Sequence, residues 1–470
     1  MIGGRSGAAS RYLLPGASAI AIWASTSSVA GAADVQQLEA AMQAMQAQMR
    51  ALQQEVAEAK AAAAAAKATA SSGGGDPLDL KVKWKGAPEL SSADGKFKFK
   101  VRGRIMTDYN GIDQDQGITG ADDISAVELR RARLGVEGVL FSDWKYKFEI
   151  DFAGDETEIK DAYLAYDFGK FEVRAGNFYT FNSLEQVTSS RFITFMERAA
   201  FTEAFFLDRQ IGAALLGGGE HWSLQTGVYG APAGEQETFW TDEMAATVRG
   251  TVAPINNDTT VLHMGASYRH RDAGELRGSG DTDLFEYRAR AADLHLADRF
   301  VDTPDIGESD DLFVLEGAFV YKSFSVQGEY AQLRTDVAPS IADLRPTYDG
   351  WYVDASWFLT GEMRNYEADA GEFGRTKVKN PVYGGSGGWG AWQIAGRYDV
   401  IDLSDDAAAI TLAGVSCSEC GEQKTWLIGV NWWLTDYTAL KLNVTQSEIE
   451  GGFNDGAEIT GVGMRAQVDW

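Results

Sequence analysis

The residues best suited to chemistry are cations set at every second position. In FKFKVRGRIM, Lys98, Lys100, Arg102 and Arg104 alternate with Phe97, Phe99, Val101, Gly103 and Ile105, with no acid between Lys98 and Arg104. A period of two puts one set on each face of a β-strand. The pattern returns where Lys145, Lys147, Glu149 and Asp151 interleave with Trp144, Tyr146, Phe148, Ile150 and Phe152, and Arg131, Arg133 and Arg174 add to the cationic set. One face suits hydrocarbon; the other carries fixed positive charge. In the narrow, partly desolvated part of a pore, such cations can replace an anion's hydration shell. The plainer alternative is that they solvate an interior by pairing with Glu137, Glu149, Asp151 or Glu172.

A cationic column works only if a wall positions it, and the rest of the chain repeats the pattern. Sixteen period-2 segments bounded by turn chemistry run from 97–109 to 457–470, an even number. Ser142-Asp143, Gly169-Lys170, Gly217 to Glu220, Ile255 to Asp258, Lys322-Ser323 and Thr435-Asp436 are tight connections. The stretches 110–124, 179–209, 231–243, 272–310, 335–348 and 404–422 are long. Short turns at one end and long loops at the other predict an all-β fold, a sixteen-stranded antiparallel transmembrane β-barrel set in outer-membrane lipid. Backbone groups in hydrocarbon cannot bond water, so the strands must close on each other without an edge. The last strand alternates cleanly, Val462, Met464, Ala466, Val468 and Trp470 against Arg465, Gln467 and Asp469, while Trp351, Trp357, Trp426 and Trp432 fall in phase with outward residues as interfacial girdles. One connection, 361–388, is long on the side of the short turns.

Composition agrees. Gly is abundant at 52, Pro sparse at 9, aromatics reach 11% and hydrophobics only 45%, as many alternating strands require. The formal charge of -26 argues against a nucleic-acid binder. It leaves room for a local cationic site, since salt screens exposed charges beyond roughly 8 Å. The histidines His221, His263, His270 and His295 are scattered, so neither a metal site nor a cofactor is expected, and no nucleophile is nominated for an enzyme. Gly217 to Gly219 is read as a strand turn and not a phosphate loop. Cys417 and Cys420 sit in an outer loop of an exported chain, where a local disulfide is expected.

Export is read from the N-terminus. Arg5 and Arg11 precede an apolar run from Tyr12 to Trp23 and the small residues Ala30 to Ala33, the order of a signal peptide over 1–33. Val35, Leu38, Met42, Met45, Met49, Leu52 and Val56 then recur at spacings of three and four, predicting a short N-terminal coiled-coil helix over 34–70 that lies in the periplasm. A contact with the cell wall is one role for it. Residues 71–96 read as a Gly/Ser/Pro linker and lead-in, and 97–470 as the barrel. Within it, Phe178 to Arg209 lacks period 2, and Ser183 to Arg198 predicts a short helix capped at Asn182 or Ser183. Folded inward, that loop would narrow the pore and make Arg191 and Arg198 constriction cations.

The runs RRARLGVEGVLFSDWKYKFEIDFAGDETEIKDAYLAY, TSSRFITFMER, RFVDT, LTGE with FGRTKVKNP, GGWGAWQIAGRYDVIDL and IGVNWWLTDYTALKLNVTQ closely resemble the phosphate-selective porin O/P family. The resemblance covers roughly Phe97 to Trp470. It implies a sixteen-stranded barrel in the outer membrane of a Gram-negative bacterium, a homotrimer, and passive uptake of small anions, phosphate or polyphosphate. By motif it marks Arg130, Arg131 and Arg191 as basic pore residues, and Arg277, Arg288, Arg290 and Arg299 of the fifth outer loop as anion-attracting cations. This chain departs by placing Glu286, Asp293 and Asp298 among the latter, and Asp113, Asp115, Asp122 and Asp123 in the first loop. The long 361–388 connection matches a periplasmic segment of the family.

Overall fold

In the computed structural model the described residues are 80–470, apart from 155, 235–238, 242, 278, 280, 384 and 386, together with residues 47, 50, 51, 54, 57, 58 and 60, which are helical. The chain divides into one unit over Met1–Asp76 and a second over Pro77–Trp470. The signal peptide and the apolar seam from Val35 to Val56 lie outside the described residues.

Alternation gives the strands an apolar face that points outward once the second unit closes; the inward face is mostly polar, with an apolar cluster in which Leu312, Val314 and Leu333 of the wall pack with Phe201, Tyr287 and Leu294 of the inward connections. The wall consists of β1 (Lys98–Asp113), β2 (Ile124–Leu140), β3 (Trp144–Asp151), β4 (Glu158–Asp167), β5 (Phe171–Tyr179), β6 (Arg209–Gly219), β7 (Trp222–Tyr229) and β8 (Met244–Asn256). It continues through β9 (Thr260–Asp272), β10 (Gly307–Tyr321), β11 (Phe324–Val337), β12 (Thr347–Phe358), β13 (Ala391–Asp402), β14 (Glu422–Thr435), β15 (Thr438–Glu450) and β16 (Glu458–Asp469). Each pairs antiparallel with the next, and β16 returns to β1 with Asp469 opposite Arg104 and Thr460 opposite Asp113. No barrel edge remains between them. Trp470 covers the seam, and a Cβ on Gly103 would collide with its ring.

Ile105, Phe148, Val248, Phe319, Trp357, Trp426 and Met464 stand exposed on the outer face, while Arg102, Arg104, Arg133, Glu149 and Arg465 are buried within. That inversion of the usual core is what a bilayer as outer solvent demands. Short turns lie at one end and long loops at the other, as expected, with 359–390 the long exception on the turn side. The lead-in carries structure of its own: Lys81–Lys85 and Ala87–Ser91 form a hairpin that continues the sheet beside β1, with Glu89 opposite Lys100. Cys417 and Cys420 are joined, with Cα atoms 5.2 Å apart.

Three connections fill the barrel: L3 (180–208), L5 (273–306) and the insertion 359–390. L3 folds inward, but its helix is shorter than the sequence predicts. Leu184–Val187 is helical, with the Ser183 hydroxyl accepting from the Gln186 N–H, and a second helix spans Ala200–Phe205. Between them the chain follows partners on the wall instead of its own periodicity. Met196 N–H donates to Asn443, Lys441 donates to the carbonyls of Ile193 and Phe195, and Asn431 donates to that of Thr194. The insertion reaches the same loop, where Phe373 N–H donates to the Thr188 hydroxyl.

Candidate functional site

Two β-bulges shape the waist. Opposite Met106 and Thr107 of β1 the register skips Arg130, and opposite Glu149 and Ile150 of β3 it skips Lys160. A bulge puts two successive side chains on one side. Arg130 and Arg131 therefore both enter the lumen while Leu129 stays exposed outside, and Lys160 joins Asp161 inside while Ile159 stays out.

Between this wall and the ends of L3 and L5 lies a cavity of about 290 Å³. Arg130, Arg131 and Arg133 of β2, Lys160 of β4, Arg198 of L3 and Arg290 of L5 supply six cations, against the four carboxyl groups of Glu197, Glu203, Asp208 and Asp293. The acids are not equivalent. Burial raises the Glu197 carboxyl, yet Arg130, Arg465 and Arg131 outweigh it and hold the group well below the carboxylate range. Asp208 is held down to about 2, burial being overcome by Arg209 and Lys160. Asp293 goes the other way: burial, then neighbouring Asp399, lifts it well above its ordinary value, favouring the neutral form. The cavity is thus more cationic than its residue count.

Within it the arginines differ in how fully they are matched. Arg130 binds Glu197 through two nitrogens, at 2.9 and 3.0 Å, and Arg133 donates to Asp151 at 2.7 Å. Arg198 donates to the carbonyls of Glu185, Gln186 and Thr188, closing the end of the short helix, so it has a structural role in the loop. Arg131, only 5% exposed, has Glu197 no nearer than 3.9 Å and, among the described residues, a single hydrogen bond, to the Met106 sulfur.

The other predicted cations lie outside this cavity, and the acid-free column of the sequence acquires acids from neighbouring strands. Arg102 pairs with Glu137 and Glu149, Arg104 with Glu149 and the Ser190 hydroxyl, and Lys100 stands 3.9 Å from Glu137. Lys147 meets Asp161 at 2.7 Å, Lys145 meets Asp167 and Glu172, and Arg174 meets Glu172. Arg191 reaches Asp469 at 3.4 Å. Lys98 alone of the set has no ion pair among the described residues; with Lys100 and Lys145 it lines a shallower depression at the turn end. In L5, Arg290 and Arg299 both pair with Glu203 of L3, and Arg288 pairs with Glu286. Lys160, Tyr179 and His295 line the cavity without having been singled out. For Lys160 a signal existed: IKDAYLAY breaks alternation by one residue after Ile159.

Across the lumen, acids are consumed in holding the loops. Glu329 of β11 accepts the N–H groups of Leu184 and Glu185 at 3.1 and 2.7 Å, and Asp399 of β13 accepts that of Ala200 at 2.8 Å. Arg397, 1% exposed in its side chain, pairs with Glu185 and with Asp354 at 3.1 Å. Arg249 binds Glu316 and the Gly371 carbonyl of the insertion. Glu329 and Asp399 are thus engaged by the backbone of L3.

A closed sixteen-stranded barrel with outward apolar faces and an inward loop defines an outer-membrane porin. A family model for phosphate-selective porin O and P matches residues 99–470, and the chain belongs to that family. Porin O of Pseudomonas aeruginosa is 27% identical over 429 residues, covering 84% of this chain and 93% of that protein. An uncharacterized protein of Caulobacter vibrioides is 30% identical over 387 residues, covering 79% and 72% respectively. Among solved structures, a loop L8 deletion mutant of OmpT from Vibrio cholerae shares the fold at a TM-score of 0.50 and 10% identity, covering 79% of this chain and 99% of its own. An anion-selective porin from Comamonas acidovorans aligns at a TM-score of 0.49 and 14% identity, over 80% of this chain and 100% of its own.

Proposed function

We propose that the chain is a passive anion channel in which small anions, phosphate and polyphosphate among them, bind transiently at the waist on their way through a lumen lined by Lys and Arg. The observation that carries this is Arg131: a buried guanidinium facing the cavity with its donors largely unused. A buried charge without a matched partner is costly, and a passing anion relieves that cost. Lys98, Lys100, Arg102, Arg104, Lys145, Lys147, Arg174 and Arg191 serve as flanking field in this reading, moderated by their acids, so that several moderate sites replace one tight one. The family supports phosphate as cargo and a homotrimer as assembly. The sequence supports export by residues 1–33 and a periplasmic coiled coil over 34–70.

A weakly selective porin is the second reading, favoured by the ion pairs that neutralise the walls of β1 to β5. Reversal potentials in a potassium chloride gradient separate the two: the first expects a clear anion preference, and a ratio near one, or a cation preference, rejects it.

A further inference from the structure

The proposed anion site has a surface that an inorganic anion does not use. Its wall side is basic, but Ala200, Phe206 and Leu207 of L3 and Leu294 of L5 also line the cavity. Phe206 is half-buried and held in place. Its ring meets Phe201 edge-on at 5.5 Å, and the fully buried Phe201 stacks at 5.9 Å on Tyr352 of β12. Phe206 and Glu203 also line an adjoining cavity of about 290 Å³ that contains Arg271, Arg288 and Arg299. The ring therefore lines both spaces.

We infer that the waist takes organic anions, a phosphate or carboxylate head on a compact aromatic body, with the head on Arg131 and the ring against Phe206. This rests on the anion-channel reading and names the cargo of the same site. Inorganic phosphate has no apolar surface and would leave Phe206 in water, whereas an aromatic body covers it and gains offset or edge-on ring contact. The cavity size agrees: about 290 Å³ is near the lower end of the roughly 300–1,000 Å³ of pockets that hold small organic ligands.

The test is block of chloride current through the full chain in planar bilayers by phenyl phosphate and by methyl phosphate, which share a head group. Phenyl phosphate is expected to half-block at about a tenfold lower concentration, the order expected when a ring face leaves water. Phe206→Ala is expected to erase that difference and leave methyl phosphate block unchanged. Equal block by the two esters in the wild type overturns the inference, as does a preference that survives Phe206→Ala. If Phe206→Ala also shifts the unblocked conductance, Phe206→Leu and Phe206→Asn decide: the preference should persist in the first and vanish in the second, and equal behaviour overturns the proposal. A channel that prefers anions and is blocked by both esters equally leaves the anion reading intact; one without anion preference removes both.

Discussion

Arg131 makes its only hydrogen bond among the described residues to the sulfur of Met106, 3.6 Å away. A thioether is a weak acceptor, so most of the guanidinium's donors remain for a solute. Arg131→Ala is expected to raise the phosphate concentration that half-blocks chloride current about tenfold, the loss of one charge-assisted hydrogen bond. Heat stability should change little, because the nearby Glu197 keeps Arg130 and Arg465. Single-channel recordings with added phosphate check the first part. Unaltered block would remove Arg131 from the site.

Glu203 holds Arg290 and Arg299 together at the boundary between the two cavities. Its carboxylate occupies a place that a mobile anion could take. Glu203→Gln should therefore lower the chloride activity that half-saturates conductance by several-fold and raise the anion-to-cation permeability ratio. Exposed pairs are worth little, so folding should be nearly unaffected. Conductance measured from low to high salt gives the half-saturation point.

The wall was readable from sequence because a period of two is visible along one strand. The pool of acids, Glu137, Glu149, Asp151 and Glu172, was legible too, but which cation meets which was not, because the partners belong to neighbouring strands: nothing near Arg102 in the chain assigns it Glu149, or assigns Asp151 to Arg133. Register decides such pairs, and register emerges only on closure. L3 shows the same limit. Its Ser183 cap was legible, but its path after Thr188 is set by Lys441, Asn443 and Arg465, more than two hundred residues away. The bulges were half legible, since Arg130 broke the alternation that Arg131 and Arg133 kept.

Arg397→Ala should release L3. The change would strand Glu185 and Asp354 as buried carboxylates, a loss of about 3–5 kcal/mol. The expected result is cleavage by added protease between 180 and 208 in folded barrels, with noisier open-channel current. Loops that stay protected in Arg397→Ala would count against Arg397 as the residue that holds L3.

Glu372 of the insertion gives the channel a pH response. Burial, and then Glu367, raise its carboxyl to about 7 against the pull of Arg249, Arg191 and Lys147. Its folded value lies above the ordinary one, so the neutral form is favoured. Docking of the insertion is strongest below the unfolded value and weakens as pH rises towards 7. Ionisation adds a negative charge near Arg191 and Lys147, so anion preference should fall between about pH 6 and pH 8. Glu372→Gln should flatten that profile, and reversal potentials at the two pH values decide it.

The bulge at Arg130 also bears on how such a passage changes over generations. Removing that one residue would leave Leu129 outside and Arg131 inside, in an unbroken ladder with β1. A single codon gained or lost at the waist thus alters the charge of the passage and leaves the lipid-facing side chains in phase. Cargo preference can drift by insertion and deletion in a strand, where such changes would ordinarily turn the barrel inside out.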